Sequence, residues 1–299
     1  MKALVTGATG FVGRALCSRL SGAVVVLSRN PDRARQWLPG VTAFGWDPLR
    51  DAAPVAAFDG VDAIFHLAGE PVAGGRWTAG RRQRIHDSRV IGTRNLVEGI
   101  RGLAVRPRVL VSASAVGYYG SRGDEVLEEG ATPATGFLPD VCRAWEHEAA
   151  AAEALGVRTV LVRTGLVLGR GGGALKPMAM AFRFGFGGRL GDGRQWMPWI
   201  HLDDEIGLLV HAAEHDAVRG AMNAVGPAPV RNADFTRALA SAVHRPAFMH
   251  APAFALRLLL GEMSGILLAS QRAAPAVATR TGYRFQHTEI GAALHGLVG

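Results

Sequence analysis

The sequence predicts an α/β protein with a doubly wound parallel sheet and a smaller, mainly helical C-terminal substrate domain. From Lys2 to Gly169, short apolar segments of strand length alternate with longer segments that are apolar at helical spacing. A glycine-rich turn follows the first of these strands, and the alternation ends at Gly171-Gly172-Gly173. We expect residues 1–169 and 199–228 to form the sheet domain, and residues 170–198 and 229–299 to form the substrate domain.

The composition indicates a folded globular protein and gives little support to nucleic-acid binding. Of the 299 residues 48% are apolar, and the net charge is +8. Only two of the 33 basic residues are lysine, and the scattered arginines form no basic run longer than Arg81-Arg82. A solvated surface explains this charge better, so we expect no nucleic-acid partner.

Other features bear on metal content and location. Cys17 and Cys142 lie in apolar helical contexts without metal-ligand spacing, which indicates reduced core thiols and no metal site. The longest apolar stretch, Ala251 to Ala269, contains Arg257 and Glu262 and predicts an amphipathic or buried helix rather than a membrane span. With a strand at its start and no evident signal peptide, the chain is expected to be cytoplasmic, without a membrane partner.

The stretch from Lys2 to Gly13 predicts a buried strand, a glycine turn and the start of a helix. Gly7 allows the tight turn, Gly10 leaves the backbone N–H groups open to a phosphate, and Gly13 lets the helix pack close to the sheet. The helix N-terminus offers unpaired N–H groups and a positive dipole end to a pyrophosphate. This arrangement predicts a dinucleotide site in a Rossmann fold; a plain strand-to-helix turn is the alternative.

The second strand, Ala23 to Leu27, ends at Ser28-Arg29-Asn30, where this fold meets the adenosine ribose. An acidic residue there would accept the 2′-hydroxyl of NAD and repel a 2′-phosphate, whereas arginine does the opposite. Arg29 therefore favours NADP(H), with Ser28 as a second donor. An ordinary surface arginine is the alternative.

The next two strands are expected at Val41 to Trp46 and at Ala63 to Leu67. The latter runs into Ala68-Gly69, whose small side chains would let a cofactor lie across the sheet. His66 is expected to be a core histidine. Glu70 fits a ligand-binding role and an ordinary loop carboxylate equally well.

Strand five, Arg108 to Val111, ends in the hydroxyl-bearing residues Ser112 and Ser114, at the edge where open parallel sheets bind ligands. Strand six, Arg158 to Arg163, and a last strand, Met222 to Val225, complete the sheet. Helices are expected at residues 80–100, 136–155 and 200–213.

The opening glycine turn, the end of strand four, the serine-rich end of strand five and the segment Ile200 to Asp204 resemble the extended short-chain dehydrogenases, the NAD-dependent epimerase/dehydratase family. More specific segments are similar to an atypical, YfcH-like branch: Leu67 to Pro71, Ser112 to Gly120, Val141 to Glu146 and Gly193 to Met197. The segments Gly261 to Met263 and Gly282 to Phe285 are similar to that branch's small terminal domain of unknown function.

The resemblance implies an NADP(H) site built from several parts of the chain. Its residues would be Thr9, Gly10, Phe11 and Val12, Ser28 and Arg29, Leu67 and Ala68, Arg89, and the loop Arg163, Thr164, Gly165, Leu166 and Val167. Arg89 replaces an asparagine of typical members, and a cation there would suit a cofactor phosphate.

The resemblance fails at the catalytic pair. Typical members carry a tyrosine and, four residues later, a lysine that lowers the pKa of the tyrosine, on the helix after strand five. That helix here, Phe137 to Trp145, contains neither. The catalytic candidates are therefore Ser112, Ser114 and Tyr118, with Arg143 near the missing pair's position. Each has a plainer alternative: the serines would only hydrogen-bond the cofactor, and Tyr118 would pack in the core.

Two functions remain in view. One is an NADP(H)-dependent oxidoreductase or epimerase that acts on an unknown small molecule, as a monomer or a homodimer. The other is a regulatory protein that binds NADP(H) without turnover. The missing tyrosine and lysine favour the second, whereas the intact loop after strand six and an aromatic wall of Trp196, Trp199 and His201 favour the first.

Overall fold

Strands and helices alternate along most of the chain, whose structure, a computed structural model, describes residues 1–298. Within these residues the strands are β1 (Ala3–Thr6), β2 (Val24–Ser28), β3 (Thr42–Gly45), β4 (Ala63–His66), β5 (Val109–Ala115), β6 (Val126–Leu127), β7 (Arg158–Thr164), β8 (Leu166–Leu168), β9 (Gly188–Leu190), β10 (Trp196–Met197), β11 (Trp199–His201), β12 (Gly220–Ala224), β13 (Val230–Arg231), β14 (Met249–Ala251) and β15 (Arg272–Ala273).

The α-helices of the same residues are α1 (Phe11–Arg19), α2 (Pro31–Trp37), α3 (Ala79–Arg101), α4 (Phe137–Ala150), α5 (Leu175–Arg183), α6 (Leu202–Glu214), α7 (Asn232–Ala242), α8 (Ala253–Leu260), α9 (Ser264–Leu268), α10 (Ala276–Arg280) and α11 (Ile290–Val298). Short 3₁₀ helices lie at Val55–Phe58, Val116–Tyr119, Ala151–Leu155 and Gly261–Met263.

Seven strands form the central sheet in the order β3-β2-β1-β4-β5-β7-β12, and every neighbouring pair is parallel. Val5 of β1 faces Val26 of β2 on one side and Phe65 of β4 on the other. The direction of the strand order reverses between β1 and β4, which places a ligand crevice at their carboxyl ends. The predicted doubly wound sheet is confirmed.

Successive side chains of each strand enter two separate cores, one on each face of the sheet. Ala3 and Val5 pack with residues of α1 and α6, whereas Leu4 packs with residues of α3. Helices cover both faces, so the central strands such as β1 and β4 are buried on both sides. This explains why the strands are unbroken apolar runs in the sequence.

A third, smaller core lies in the mainly helical C-terminal part. It contains Phe182 of α5, Phe235 and Leu239 of α7, Leu294 of α11 and Trp199 of β11. These helices therefore have an apolar centre of their own beside the sheet domain.

The stretch from Ala251 to Ala269 does not form the single amphipathic or buried helix that its apolar composition predicts. It divides into α8, a 3₁₀ turn and α9, because Gly261 adopts a left-handed φ of 61°. No residue of α8 is buried. Among the helices of residues 1–298, none is long and apolar enough to cross a membrane.

One carboxylate fastens the C-terminal segment to the sheet domain. Asp204, wholly buried in the first turn of α6, accepts hydrogen bonds from the backbone N–H groups of Gln286 and His287 at 2.8 and 2.9 Å. The hydroxyl of Tyr283 donates to the same side chain at 3.1 Å. The dipole of α6 also favours a negative charge at this position.

Glu205, the next residue of α6, is a buried acid with a different environment. The hydroxyl of Thr164 donates to its Oε1 at 2.9 Å, while its Oε2 has no hydrogen-bond partner among residues 1–298. Burial raises its pKa to about 8, because the charged form is disfavoured away from water. Near neutral pH this side chain is therefore mostly uncharged.

We expect the stability of the protein to fall as the pH rises towards 8. The unfolded carboxyl ionises near pH 4.5, so the folded state binds more protons between that pH and about 8. The stability that Glu205 contributes is fully present below this window and is lost above it. Glu205→Gln keeps an acceptor for Thr164 and removes the titration, so the variant should melt a few degrees above the natural protein at pH 9.

Thermal unfolding followed by circular dichroism at several pH values checks this expectation, with Glu214→Gln as the matched control because Glu214 is exposed on the same helix. The gap between the Glu205 variant and the natural protein should widen from pH 5 to pH 9. A gap that does not change with pH would contradict the burial argument.

Candidate functional site

The turn between β1 and α1 brings the start of the helix against the ends of two strands. Gly7 has a φ of 68°, and a Cβ atom there would lie 2.6 Å from the carbonyl oxygen of Leu67. A Cβ atom at Gly13 would lie 2.3 Å from the carbonyl oxygen of Gly7. Neither position has room for a side chain, so the backbone itself requires both glycines.

The N-terminus of α1 is open to an anion. Gly10 is its N-cap, in an extended conformation that supplies no side-chain cap, and the half-buried Thr9 precedes it. The first turn contains no acidic residue. The backbone N–H groups of Phe11 and Val12 therefore have no intrahelical acceptor and no competing carboxylate. Such N–H groups, aligned with the helix dipole, fit a pyrophosphate.

Phe11 closes this end of the site against a second loop. Cβ atoms added at Gly169, Gly172 and Gly173 would lie only 2.6, 2.3 and 2.8 Å from the nearest atoms of its ring. The glycine-rich loop after β8 therefore lies directly on the first residue of α1. These glycines are needed for packing as well as for the change in chain direction.

The end of β2 presents Arg29 as an exposed side chain. The hydroxyl of Ser28 is engaged by the turn: it donates to the carbonyl oxygen of Asn30 at 3.0 Å and accepts from the N–H of the same residue at 3.1 Å. Of the two donors predicted here, Arg29 is therefore the one directed to solvent.

Two further arginines near this strand end were not identified from the sequence. The guanidinium carbons of Arg14 and Arg33 lie 5.6 and 4.2 Å from the ring centre of Trp37, so both are held by cation–π contacts. Arg33 could have been recognised from its position four residues before Trp37 on α2, which places them on one helix face. Arg14 could not, because its contact joins separate helices.

A buried polar network underlies the end of β4. The hydroxyl of Thr6 lies 2.7 Å from Nδ1 of His66 and accepts the N–H of Ala68 at 3.2 Å. Nε2 of His66 lies 2.9 Å from the hydroxyl of Thr93. Burial, and then the charge of Arg89, lowers the pKa of His66 to about 4, so the ring is neutral. It is the core histidine expected from the sequence.

Arg89 lies beneath the loop that follows β4. Its Nη1 donates to the carbonyl oxygens of Glu70 and Ile85 at 2.9 and 3.2 Å, and its guanidinium carbon lies 5.0 Å from the ring centre of Trp145. A Cβ atom at Gly69 would lie 3.2 Å from that carbon. Burial lowers the pKa of Arg89, although the guanidinium remains a cation. The loop is thus fixed from below by a partly buried positive charge.

Arg163 and Glu146 form a buried ion pair with two hydrogen bonds of 2.8 Å. The hydroxyl of Ser114 donates to the same carboxylate at 2.6 Å. Arg163 also donates to the hydroxyl of Tyr119 at 3.0 Å, which in turn donates to Oδ1 of Asn223 at 2.7 Å. The side chains of Ser114 and Arg163 are therefore engaged within the protein, and the roles predicted for them at a cofactor or substrate stay predictions.

The other catalytic candidates lie at the end of β5. Ser112 is wholly buried, and its hydroxyl makes only a long contact of 3.4 Å with a backbone carbonyl oxygen. Tyr118 is half-buried in the 3₁₀ helix after β5, with the guanidinium carbon of Arg163 only 3.5 Å from its ring centre. Arg143 is exposed and paired with Asp140 at 2.6 Å. The cation beside Tyr118 is thus Arg163.

The part of α4 that lacks the tyrosine–lysine pair is packed against β5 and the 3₁₀ helix. A Cβ atom added at Gly117 would lie 3.6 Å from the side chain of Leu138, so the two elements are in close contact there. The thiol of Cys142 lies 3.8 Å from the carbonyl oxygen of Ala115. Burial raises the pKa of this thiol to about 12, so it is neither a base nor a nucleophile near neutral pH.

The predicted cofactor loop after β7 is held by neighbouring backbone. The hydroxyl of Thr164 is engaged with Glu205, and a Cβ atom at Gly165 would lie 2.1 Å from the carbonyl oxygen of Pro198. The N–H of Leu166 donates to that same oxygen at 2.7 Å. Leu166 and Val167 belong to β8, which pairs with β11.

The aromatic wall predicted at residues 196–201 does not form as a unit. Trp199 is wholly buried in the C-terminal core, and His201 is buried and stacked on His287 at 3.6 Å. Only Trp196 is half-exposed. The prediction is wrong because β11 pairs with β8, and this pairing directs the side chains of β11 into the protein.

His201, Asp203 and His287 have ligand atoms within 4.8 Å of one another. The N–H of Asp203 already donates to Nδ1 of His201 at 3.1 Å. Burial, and then the charge of His287, lowers the pKa of His201. These contacts give the trio a role in joining α6 to the C-terminal segment.

Comparison with known proteins agrees with this architecture. Residues 3–225 match the model of the NAD dependent epimerase/dehydratase family, and residues 251–297 match a domain of unknown function (DUF1731). The second match runs from the last residue of β14 to the penultimate residue of α11.

Relatives match along the whole chain. Epimerase family protein ML0860 of Mycobacterium leprae (strain TN) is 38% identical over 297 residues, covering 97% of this chain and 93% of that protein. Epimerase family protein YfhF of Bacillus subtilis (strain 168) is 36% identical over 302 residues, covering 100% and 98%. The crystal structure of human epimerase family protein SDR39U1 (isoform 2) with NADPH is 32% identical, with a TM-score of 0.88 over 100% of this chain and 99% of that one. The chain therefore belongs to the NAD dependent epimerase/dehydratase family, as its motifs indicate.

Proposed function

We propose that this protein binds NADP(H) across the carboxyl ends of the central strands and acts on a small molecule as an oxidoreductase or epimerase. The observation that carries the cofactor assignment is the uncapped N-terminus of α1 directly after the Gly7 turn. The human relative crystallised with NADPH supports the same assignment.

The arginines at the end of β2 support NADP(H) over NAD(H). Arg29 would bind the 2′-phosphate through charge-assisted hydrogen bonds, and Arg14 and Arg33 add positive charge along the adjoining helices. Asp32, the acidic residue nearest in sequence, is paired with Arg35 at 2.6 Å and so would compete little.

When bound, a nicotinamide cofactor supplies hydride transfer, and the protein must then position the reactants and move a proton. Leu138 and Cys142, four residues apart on α4, offer no hydroxyl or amine for this proton transfer. We assign the proton transfer to the hydroxyl of Tyr118, which follows a strand end at the ligand edge of the sheet and whose ring is held by Arg163. Ser112 and Ser114, on the strand that precedes Tyr118, would support this role, Ser114 through its hydrogen bond to Glu146, the partner of Arg163.

A protein that binds NADP(H) without turnover is the second candidate. The packed, chemically inert surface of α4 at Leu138 and Cys142 favours it. The two candidates share the cofactor site and differ only in whether a proton donor reaches the nicotinamide, so a turnover measurement separates them.

Replacing Gly10 with valine should weaken NADPH binding at least about tenfold, because a branched side chain would enter the pyrophosphate position. The φ of −74° at Gly10 permits an L-residue, so the fold should persist. Isothermal titration calorimetry measures the affinity, with Gly291→Val on α11 as a control where the added atom meets open space. Unchanged affinity in the folded variant would refute the assigned pyrophosphate position.

The natural protein should prefer NADPH over NADH by about ten- to hundredfold, since a charge-assisted hydrogen bond contributes roughly 1.5–3 kcal/mol. Arg29→Asp should reverse the order by adding repulsion. Competitive titration of both cofactors tests this, with Arg19→Asp as a control for the loss of an exposed arginine elsewhere. Equal affinities of the natural protein for the two cofactors would rule out the assigned role of Arg29.

Tyr118→Phe should leave NADPH binding nearly intact and abolish turnover. NADPH oxidation is measured across a panel of carbonyl compounds, and epimer formation, which consumes no net cofactor, is measured by NMR across sugar nucleotides with NADP+ present. In the control Tyr283→Phe, the lost hydroxyl is bonded to Asp204, away from the candidate site, so stability should fall while turnover persists. Full activity in the Tyr118 variant would exclude its catalytic role. Tight NADPH binding with no activity even in the natural protein would favour the regulatory function.

A further inference from the structure

Helix α8 exposes large apolar side chains to solvent. Phe254, Leu258 and Leu259 are 70%, 77% and 71% exposed, and no residue of the helix is buried. Its one charged residue is Arg257. A helix this rich in apolar residues is ordinarily covered by a protein core or by lipid. The composition of α8 therefore suits an environment other than water.

A second group of exposed aromatic residues adjoins α8. The N–H of Met249 donates to the carbonyl oxygen of Gly187 at 3.2 Å, which places Phe248 beside the segment that carries Phe184 and Phe186. These phenylalanines are 88%, 73% and 71% exposed. Strand β14 continues into α8 through a single proline. We call the combined surface the apolar face; it consists of Phe184, Phe186, Phe248, Phe254, Leu258 and Leu259.

The apolar face is large for a protein surface. A phenylalanine side chain presents roughly 150–250 Å², so the four exposed rings together present on the order of 600 Å² before the leucines are added. The largest apolar patch on a typical monomer is roughly 300–600 Å². A patch of this size marks an interaction surface.

The charges around the apolar face are predominantly positive. Residues 173–191 and 235–261 contain six basic side chains and no aspartate or glutamate. The basic residues are Lys176, Arg183, Arg189, Arg237, Arg245 and Arg257, and all six are exposed. Three acids border these segments: Asp192 is exposed, Asp234 is paired with Arg237, and Glu262 is paired with Arg82. The excess of positive charge favours a partner that is apolar and negatively charged.

We infer that the apolar face docks on the surface of an anionic lipid bilayer, with its phenylalanine and leucine side chains in the headgroup–acyl boundary and its arginines on lipid phosphates. Such docking requires no membrane-spanning helix. It therefore differs from the sequence-based expectation of no membrane partner, which considered only a spanning segment.

A second copy of the chain matches this face less well. Two-fold association would bring each patch against itself, so the net positive charge of one copy would meet that of the other. A bilayer rich in anionic phospholipid supplies apolar and negative groups together. Docking would also lie near the candidate site, because Nη2 of Arg76, in the loop after β4, donates to the carbonyl oxygen of Leu258 at 3.1 Å.

Vesicle co-sedimentation of the full-length protein tests the inference. Vesicles of phosphatidylcholine alone are compared with vesicles of phosphatidylcholine and phosphatidylglycerol, at low and high salt. The protein should bind the anionic vesicles at least about tenfold more strongly than the neutral ones, and less strongly at high salt. The double variants Phe254→Ser/Leu258→Ser and Arg189→Glu/Arg257→Glu should each lose at least about tenfold in binding.

Two controls are matched to these variants: Val105→Ser, because Val105 is 86% exposed outside the apolar face, and Arg19→Glu, because Arg19 is exposed on α1. Both should bind like the natural protein. Melting temperatures confirm that all four variants fold, as their exposed positions predict. Absent or equal binding to the two vesicle types overturns the proposal. So does a dimer in sedimentation velocity that the Phe254→Ser/Leu258→Ser change dissociates, because a second copy would then cover the face.

Discussion

The buried ion pair between Arg163 and Glu146 is the interaction on which the candidate site depends. Burial works against the charge of Arg163, but hydrogen bonds from the guanidinium to Glu146, and the charge of that carboxylate, outweigh it and raise the pKa of Arg163. Removing two charges from water costs free energy that is offset only when the remaining hydrogen bonds are made. Ser114 and Tyr119 make them. Through this pair, α4, β5 and β7 are held in one arrangement.

That arrangement gives two consecutive tyrosines different roles. Arg163 lies beside both rings, 3.5 Å from the centre of Tyr118 and 5.2 Å from that of Tyr119. Tyr119 is wholly buried and its hydroxyl is engaged with Asn223, whereas Tyr118 is half-buried at the ligand edge of the sheet. A single cation thus supports one tyrosine as part of the core and the other as the proton donor that we propose.

Much of the sheet could be predicted from the sequence, because parallel strands buried on both faces are continuous apolar runs and the glycines at 7 and 13 are dictated by backbone contacts. The partnership of Arg163 with Glu146 could not, since it joins a strand to a helix 17 residues earlier and no local pattern marks it. For helix α8, the expectation from the sequence is wrong. Its apolar composition indicates a buried segment, yet its neighbours leave it exposed.

The hydrogen bonds that Asp204 accepts from the C-terminal segment limit how this architecture can change during evolution. Asp204 lies within the part that matches the epimerase family, whereas Gln286 and His287 lie within the part that matches the domain of unknown function. Neither part satisfies these groups alone: without the terminal part, a buried carboxylate would lose its backbone donors, and without the carboxylate, two N–H groups would be left unpaired. The terminal part is thus poorly suited to recombination as a free-standing module. Its exchange between proteins would require the recipient to supply an acid at the start of the equivalent helix.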